Sequence, residues 1–220
     1  MSIAPGSSSP QPRPRRPRSP AAVAAHLVRI DPAFAAVVGA SRPFMPPPPT
    51  GDAFGTLARS ISHQQLAGRA AAAIHGRFVA LFEDDPPTPA AVVATPVETL
   101  RACGLSGAKV TAIRDLAARF LDGTIPEAQL ASLSDDDVVA RLTVVRGVGR
   151  WTAEMFLLFD LGRPDVWPVD DFGVRKGWSR IHQSVDMPPP RQLSALGDPL
   201  RPYRSAAAWY CWRALDSPAS

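Results

Sequence analysis

The sequence predicts an all-α protein, and three observations support this class. Apolar residues recur at helical spacing, most clearly after position 57. Helix start and stop signals recur along the chain, and no segment alternates apolar and polar residues as a half-buried strand does. A chain of 220 residues can bury one sizeable core or two small lobes that share a core. The clearest periodic set is Leu57, Ile61, Leu66, Ala70, Ile74, Phe78 and Leu81.

The first twenty residues differ in composition from the rest of the chain. They are rich in proline, serine and arginine, and they contain four arginines but no acidic residue. We therefore expect residues 1–20 to be a disordered basic tail and residues 21–220 to be the folded domain. Without the tail, 20 basic and 20 acidic residues remain. Because that balance is neutral, a prediction of nucleic-acid binding has to rest on local features of the domain.

The helices and loops of the first half of the domain follow in order. Residues 21–38 have a helical pattern that Asp31 and Pro32 interrupt. Residues 42–52 contain four consecutive prolines, which predicts an extended loop. From residue 54 to 82 the pattern is helical again, and the polar residues 62–65 predict a bend that divides it into two helices.

The later helices are indicated by their capping residues. Thr95 is predicted to cap a helix, with Pro96 at its first position and Glu98 completing a capping box. Ser106 is predicted to cap the following helix. The last helix is aromatic and is expected from about residue 203 to 215.

The segment RGVGRWTAEMF, residues 146–156, contains a Gly-Val-Gly turn at the start of a helix. A helix that begins after Ser134 leads into this turn, which predicts a helix–hairpin–helix over about residues 135–160. A dinucleotide-binding fingerprint would need a preceding strand and a third glycine in place of Thr152. The sequence therefore argues against a dinucleotide site here.

The glycines of this turn let the backbone bend tightly and approach a ligand closely. The free N–H groups at the start of the second helix carry partial positive charge and can bind a phosphate. Such contacts hold a nucleic-acid backbone without reading its sequence. The alternative is an ordinary tight turn between two helices. The candidate DNA-binding residues of the turn are Gly147, Val148, Gly149, Arg150 and Thr152.

Asp170 and Asp171 precede a further helix, and two roles are open to them. An aspartate in front of a helix is often only its N-cap. Alternatively, one of the two caps the helix while the other faces a cleft as a catalytic carboxylate. The helix dipole favours the ionised form there, and an ionised carboxylate can stabilise a developing cation or activate water.

The segment VVRGVGRWTAEMFLLFDLGRPDVWPVDDFGVRKG, residues 144–177, resembles the signature of the helix–hairpin–helix DNA base-excision glycosylases. Within them it is most similar to the DNA-3-methyladenine glycosylase II (AlkA/Mag) family. Three further segments match that family: ISHQQLAGRAAAAI, GLSGAKVTAIRDLA and PYRSAAAWYCWRAL. The resemblance covers about residues 21–215. It implies a two-lobed all-α fold with the active-site cleft between the lobes, and a monomer that acts on double-stranded DNA with damaged bases.

The resemblance assigns the catalytic role to Asp171 and leaves Asp170 as a structural residue. In bifunctional relatives a lysine directly follows the GVGR turn and attacks the sugar. Here Trp151 occupies that position, and neither Lys109 nor Lys176 lies in the corresponding slot. The resemblance therefore implies a monofunctional DNA glycosylase that hydrolyses the N-glycosidic bond and has no lyase activity.

Aromatic residues suit the substrate that this family implies. A duplex hides the target bond, so the nucleotide has to be flipped into a pocket. Alkylation at N3 or N7 of a purine gives the base a positive charge, which favours stacking on aromatic rings. Tryptophan and phenylalanine at helical spacing can also be core residues, and we keep that interpretation for Trp178 and Trp209. The candidate pocket residues are Trp151, Met155, Phe172 and Trp212, with Met155 standing where the family often has an aromatic residue.

Two further roles are implied by the resemblance. The QQLAG bend is similar to the family's intercalating loop, and Leu66 is the candidate wedge that fills the gap left by the flipped base. The alternative is that Leu66 is a core residue. The family's hairpin also often binds a monovalent cation, Na⁺ or K⁺, through backbone carbonyls, here those of Thr143, Val145 and Val148.

Composition excludes several other classes. Cys103 and Cys211 are too few for a cysteine-ligated iron–sulfur cluster or a cysteine zinc site, so no cluster and no required cofactor are expected. No apolar run reaches the length of a membrane span, and the N-terminus lacks the apolar segment of a signal peptide. We therefore expect a cytoplasmic protein, in the bacterial cytosol, with no membrane partner.

Three functions are compatible with these observations. The first is excision of alkylated purines, of the 3-methyladenine and 7-methylguanine type, as the first step of base excision repair. The second is a glycosylase that prefers etheno or deaminated purines, because a stacking pocket tolerates many flat bases. The third is a non-enzymatic protein that binds damaged DNA with the same hairpin, for which Asp171 would be no more than a helix cap.

Overall fold

A computed structural model of the chain describes residues 19–82 and 86–216, and all regular elements in these ranges are helices. The predicted all-α class is confirmed for this part of the chain. Residues 1–18, which hold most of the basic tail, lie outside the described residues. None of the described helices is long and apolar enough to cross a membrane.

The described residues of the first half of the fold form seven α-helices. The interruption predicted at Asp31 and Pro32 is observed, because a short 3₁₀ turn at Pro32–Phe34 separates the first two helices. The loop at 42–52 and the bend before residue 68 are also observed. The seven helices are α1 (Pro20–Ile30), α2 (Ala35–Ala40), α3 (Ala53–His63), α4 (Gly68–Ala80), α5 (Pro89–Ala94), α6 (Val97–Ala102) and α7 (Gly107–Leu121).

In the second half, up to residue 216, the chain forms five α-helices and two 3₁₀ segments. The 3₁₀ segments are Glu127–Ser132 and Asp198–Leu200. The hairpin predicted at about 135–160 is observed as two helices joined by a turn at residues 143–149. The five helices are α8 (Asp135–Leu142), α9 (Arg150–Phe159), α10 (Phe172–Ile181), α11 (Pro190–Leu196) and α12 (Arg204–Asp216).

One predicted cap is wrong. Thr95 does not cap α6; its hydroxyl donates to the Ala91 carbonyl at 2.8 Å, and Thr95 ends α5. Helix α5 itself was not predicted, and its cap is Thr88, whose Oγ1 accepts the Ala91 N–H at 3.2 Å. A threonine between two short helices can bond to either one, and the capping-box pattern does not show which. The predicted cap at Ser106 is confirmed, since its Oγ accepts the Lys109 N–H at 3.3 Å.

The helices with the most extensive mutual contacts fall into two groups. The chain-terminal helices α1, α2, α10 and α12 pack on one another, and the central helices α3 to α9 form the second group. A continuous hydrophobic core runs through both groups and includes fully buried Phe34, Phe54, Phe78 and Tyr210. Trp178 is also buried, as its interpretation as a core residue predicted. The two groups are the two lobes, and they meet where α9 faces the start of α10 and the side of α12.

Candidate active site

Asp171 lies at the junction of the two lobes, at the N-terminus of α10. Its Oδ1 accepts the Val174 N–H at 2.7 Å, which makes it the N-cap of the helix, and the Trp212 Nε1–H at 2.8 Å. Its Oδ2 accepts the Trp151 Nε1–H at 2.7 Å. One donor comes from each of α9, α10 and α12. The carboxylate is therefore fixed in position by three neutral N–H donors from both lobes.

The charge on Asp171 is not paired with a cation. No arginine or lysine among the described residues makes an ion pair with it. An anion without a counter-ion can still stabilise positive charge that develops on a neighbouring group. The geometry therefore suits a reaction whose transition state is cationic.

The structural role predicted for Asp170 is wrong. Asp170 was expected to be the structural residue, yet its side chain is exposed and makes no hydrogen bond with the described residues. Asp171 alone both caps α10 and faces the indole rings. The reason is that a carboxylate has two oxygens, so one residue can cap a helix and present its second oxygen to a site.

The aromatic residues around Asp171 come from two helices. Trp151 and Met155 lie one turn apart on α9, and Phe159 continues the same face by a further turn. The Phe159 ring stacks on Trp212, with ring centroids 5.7 Å apart and an interplanar angle of 28°. Phe159 was not predicted, although its spacing of four residues from Met155 could have found it. Trp151 and Trp212 thus lie beside the carboxylate, Phe159 stacks on Trp212, and Met155 lies on α9 between Trp151 and Phe159.

The fourth predicted pocket residue, Phe172, lies apart from this group. It follows Asp171 directly, its side chain is 62% exposed, and the Lys176 ammonium lies 5.8 Å from its ring centroid. No ring contact joins Phe172 to Trp151 or Trp212. Phe172 therefore lies at the rim of the site.

A cleft of about 540 Å³ borders Trp151. Trp151 is 46% exposed, and it both lines this cleft and donates its Nε1–H to Asp171. The cleft lies between α3, the bend after it, and the hairpin. Its lining residues are Ser60, His63, Gln64, Gln65, Gly147, Trp151 and Thr152.

The hairpin turn has the backbone geometry of an anion site. Gly147 has φ +74°, a conformation that side chains rarely adopt, so this position requires glycine. Gly149 has an ordinary φ of −91°, and a Cβ placed there would have no neighbour within 4 Å. Helix α9 has no side-chain cap, and its first described backbone bond runs from the Ala153 N–H to the Gly149 carbonyl at 3.1 Å. Among the described residues, the N–H groups of residues 149–152 have no hydrogen-bond acceptor, so they remain available to a ligand.

The side chains of the predicted hairpin residues lie in different environments. Arg150 is exposed, whereas Val148 and Thr152 are buried, with Thr152 5% exposed. The Val148 N–H already donates to the Val145 carbonyl at 3.1 Å, so of these two residues only Thr152 can offer a backbone N–H to DNA. The hairpin offers main-chain donors and the Arg150 guanidinium to an anion.

The bend between α3 and α4 contacts the hairpin directly. The Gln64 Nε2–H donates to the Gly147 carbonyl at 2.9 Å, a contact that the sequence did not predict. Gln65 has φ +56°, which is uncommon for a residue other than glycine and marks local strain. Leu66 follows it and is 41% exposed, so the interpretation of Leu66 as a core residue is wrong. The bend presents Gln65 and Leu66 beside the hairpin.

Glu154 is a buried acid that the sequence analysis missed. It is 5% exposed, and its Oε1 accepts a hydrogen bond from Arg150 Nε at 2.9 Å. Its Oε2 is buried and has no partner among the described residues. Burial raises the pKa of the Glu154 carboxyl, while the Arg150 guanidinium lowers it. Its position four residues after Arg150 was the signal that could have found this pair.

The predicted cation site at the hairpin consists of backbone carbonyls. Val145 and Val148 are buried and Thr143 ends α8, where the helix dipole places partial negative charge. The Val145 carbonyl accepts the Val148 N–H at 3.1 Å, which leaves one lone pair on that oxygen. Carbonyl oxygens are hard ligands, so this donor set fits an alkali cation. No group of three or more His, Cys, Asp or Glu side chains that could hold a metal occurs in the described ranges.

The two lysines lie away from the position that follows the hairpin turn. Lys109 on α7 donates from Nζ to the Ser62 carbonyl at 2.8 Å, and burial lowers its pKa. Lys176 lies on α10 over the Phe172 ring. Neither lysine is hydrogen-bonded to Asp171.

Comparison with known proteins agrees with this geometry. The profile of the HhH-GPD superfamily base excision DNA repair proteins matches residues 58–202, which include the hairpin, Trp151 and Asp171. In sequence, the chain is 37% identical over 159 residues to DNA-3-methyladenine glycosylase 1 of Schizosaccharomyces pombe, covering 71% of this chain and 70% of that protein. It is 32% identical over 192 residues to the alkylbase DNA glycosidase-like protein mag2 of the same organism, covering 86% of this chain and 90% of that protein.

A solved structure extends the likeness to the fold. It is that of the S. pombe 3-methyladenine DNA glycosylase in complex with abasic DNA, with a TM-score of 0.81 and 31% sequence identity. The match covers 90% of this chain and 98% of the other.

Proposed function

The chain belongs to the HhH-GPD superfamily of base excision DNA repair proteins, and we propose that it is a monofunctional DNA glycosylase. It flips alkylated purines of the 3-methyladenine and 7-methylguanine type out of double-stranded DNA and hydrolyses their N-glycosidic bond. This is the first step of base excision repair. The observation that carries the proposal is the Asp171 carboxylate, fixed by two tryptophan N–H groups at the junction of the lobes.

The chemistry requires little from the protein besides this anion. An N3- or N7-alkylated purine is cationic, so it leaves with the electron pair of the N-glycosidic bond and becomes a neutral base. The sugar becomes an oxocarbenium ion, which the negative charge of Asp171 stabilises. Water then adds to C1′ and releases one proton, which Asp171 accepts and passes to solvent. The products are the free base and an abasic site in an unbroken strand.

The aromatic residues select the flipped base. Trp151 presents its N–H edge to Asp171 and is 46% exposed, so its ring can stack on the base, whereas one face of the Trp212 indole is already stacked on Phe159. A cationic purine gains roughly 0.5–2 kcal/mol from such a ring face. Met155 lies between Trp151 and Phe159 on α9 and adds a polarizable thioether to the same surface. This pocket favours flat, positively charged bases over neutral ones.

The hairpin and the bend hold the DNA around the flipped nucleotide. The uncapped N-terminus of α9 and the Arg150 guanidinium bind a backbone phosphate. Leu66 enters the gap that the flipped base leaves in the duplex. The Gln64 bond to the Gly147 carbonyl keeps these two DNA-binding segments in register.

The remaining properties follow from the same site. The enzyme works as a monomer in the bacterial cytosol, where the chromosome lies, and needs no cofactor. The carbonyls of Thr143, Val145 and Val148 hold a Na⁺ or K⁺ ion that stiffens the turn. With tryptophan after the hairpin, no amine is placed to attack the sugar, so the strand is not cut.

The test is single-turnover base release from a duplex that contains one 7-methylguanine or 3-methyladenine. We expect the wild-type protein to release the base and to leave a strand that breaks only after alkali treatment. Borohydride should trap no covalent adduct with the DNA. If no alkylated base is released, duplexes with etheno and deaminated purines come next. Binding without release from all of these duplexes would refute the glycosylase proposal and leave a DNA-binding protein.

A further inference from the structure

The contact between α10 and α12 depends on two glycines on one face of α10. A Cβ at Gly177 would lie within 2 Å of the Cys211 carbonyl oxygen, so the two helix backbones touch there. One turn earlier, a Cβ at Gly173 would lie 2.7 Å from Cδ1 and 2.9 Å from Nε1 of Trp212. The same Cβ would lie 3.1 Å from Oδ1 of Asp171. Gly173 thus borders the hydrogen bond between Trp212 and the candidate catalytic carboxylate.

Backbone conformation does not explain the glycine at position 173. Its φ does not lie in the left-handed region, unlike that of Gly147. Alanine is a better helix former than glycine, so a glycine in the first turn of α10 costs stability unless space requires it. The atoms that occupy the space of its missing Cβ belong to the Trp212 indole.

We propose that Gly173 is a positioning residue for base excision: its missing side chain lets the Trp212 indole reach Asp171. This inference rests on the proposed glycosylase function for its catalytic consequence. A methyl group at position 173 would push the Nε1 edge of the indole away from α10. The indole face is stacked on Phe159, so a moved ring also leaves that contact. Asp171 would then lose one of its three hydrogen-bond donors. The pocket for the flipped base would lose the Trp212 ring as one of its walls.

The experiment compares Gly173→Ala, Trp212→Phe and the double variant. Phenylalanine at 212 keeps an aromatic ring with a Cδ1 atom but removes the Nε1–H that donates to Asp171. We expect Gly173→Ala to lower the single-turnover rate of base release by at least about tenfold, as for a lost hydrogen bond to a charged group. In the Trp212→Phe background the same change should cost less, because the hydrogen bond that it disturbs is already absent. Affinity for the damaged duplex should stay at the wild-type value in Gly173→Ala.

The control is Gly107→Ala. Gly107 also lies in the first turn of a side-chain-capped helix, and a Cβ there has no neighbour within 4 Å. It should release the base like the wild type. Equal losses from Gly173→Ala in both backgrounds would overturn the proposal, because the effect would not pass through Trp212. Wild-type release by Gly173→Ala would overturn it as well.

A second measurement needs no activity. In a ¹⁵N–¹H spectrum the Trp212 indole signal is the one that Trp212→Phe removes. Gly173→Ala should move that signal, and Gly107→Ala should leave it in place. If the wild type releases no base, the proposed function fails while this spectrum still tests the position of Trp212. An unmoved Trp212 signal in Gly173→Ala would overturn the proposal in either case.

Discussion

The hairpin turn and the Asp171 site are neighbours in space, because Trp151 follows the turn and its Nε1–H donates to Asp171. The two regions are nevertheless built in different ways. At the hairpin, α9 begins without a cap, Gly149 faces open space, and the donors are main-chain N–H groups. At Asp171, both carboxylate oxygens are occupied and the neighbouring glycine has no room for a methyl group. The hairpin has backbone N–H groups without an acceptor among the described residues, whereas the Asp171 carboxylate accepts three hydrogen bonds within the protein.

This difference separates binding from chemistry. A phosphate can approach an open turn in many registers, so affinity tolerates small changes of geometry. Stabilising an oxocarbenium ion requires a charge at a fixed place, so the rate does not tolerate them. Variants of the hairpin should therefore change DNA affinity, and variants of the Asp171 site should change the rate of base release.

The largest expected effect is that of Asp171→Asn. Asparagine still accepts the Val174 N–H through its oxygen, but its NH₂ then opposes an indole N–H and the charge is gone. We expect single-turnover base release to fall by about 10²- to 10⁴-fold with unchanged DNA affinity. The control is Asp170→Asn, which should react like the wild type because that side chain is exposed and unbonded. Normal release by Asp171→Asn would reduce this residue to a helix cap.

Trp151→Phe tests the second oxygen of the carboxylate. The change keeps a ring for stacking and removes the Nε1–H that holds Oδ2. Loss of a hydrogen bond to a charged acceptor should slow base release about tenfold or more. The thermal midpoint should change little, since the ring is 46% exposed. A variant that weakened binding and left the rate intact would place Trp151 with the hairpin instead.

The sequence predicted the hairpin and the catalytic candidate better than it predicted how they are connected. The hairpin has a local signature, because the Gly-Val-Gly turn and the cap at Ser134 lie next to the helices they define. Asp171 also follows from a local motif. The Gln64 bond to the Gly147 carbonyl joins residues 83 positions apart, and no spacing rule reaches across that distance.

The missed and misassigned residues have the same cause. The roles of Phe159 and Glu154 were missed because an apolar or charged residue on a helix can contact many different side chains. Only the tertiary packing shows which contact it makes. Asp170 and Asp171 are adjacent and chemically identical, so only the geometry of α10 shows which one caps it. Thr95 was misassigned because two helices end and begin beside it.

Gly149→Ala tests whether the hairpin turn contacts the DNA backbone. The free protein has room for the methyl group at an ordinary φ, so its thermal midpoint should not fall. A bound phosphate would meet that methyl group, and losing one charged contact should weaken duplex binding about tenfold. Gly147→Ala is the contrasting variant, because its φ of +74° should make it unstable by about 1 kcal/mol or more. Unchanged affinity in Gly149→Ala would argue that the turn faces away from DNA.

Arg150→Ala should have a smaller and salt-dependent effect. Its guanidinium is exposed except for the Nε bond to Glu154, so its other N–H groups can reach a phosphate. Removing one phosphate contact lowers the slope of log K against log salt by about 1. Binding titrations between low and moderate salt measure this slope. Base release at saturating protein should be unaffected, and a loss of rate there would contradict the separation of binding from chemistry.

The smallest expected effect concerns Glu154, which lies on α9 between the two regions. Because burial raises the pKa of this carboxyl, the folded chain holds its proton to a higher pH than the unfolded chain does. The free energy of unfolding therefore rises as the pH falls through the folded-state pKa of Glu154. Above that pH the buried carboxylate is charged and destabilises the folded state in full. Glutamine at 154 does not titrate. Relative to Glu154→Gln, the free energy of unfolding of the wild type should rise by up to about 1 kcal/mol as the pH falls from 7 to about 4.5. Urea unfolding of both proteins at each pH measures this difference. A stability difference that stays constant over that range would mean that the Arg150 guanidinium offsets the burial of Glu154 completely.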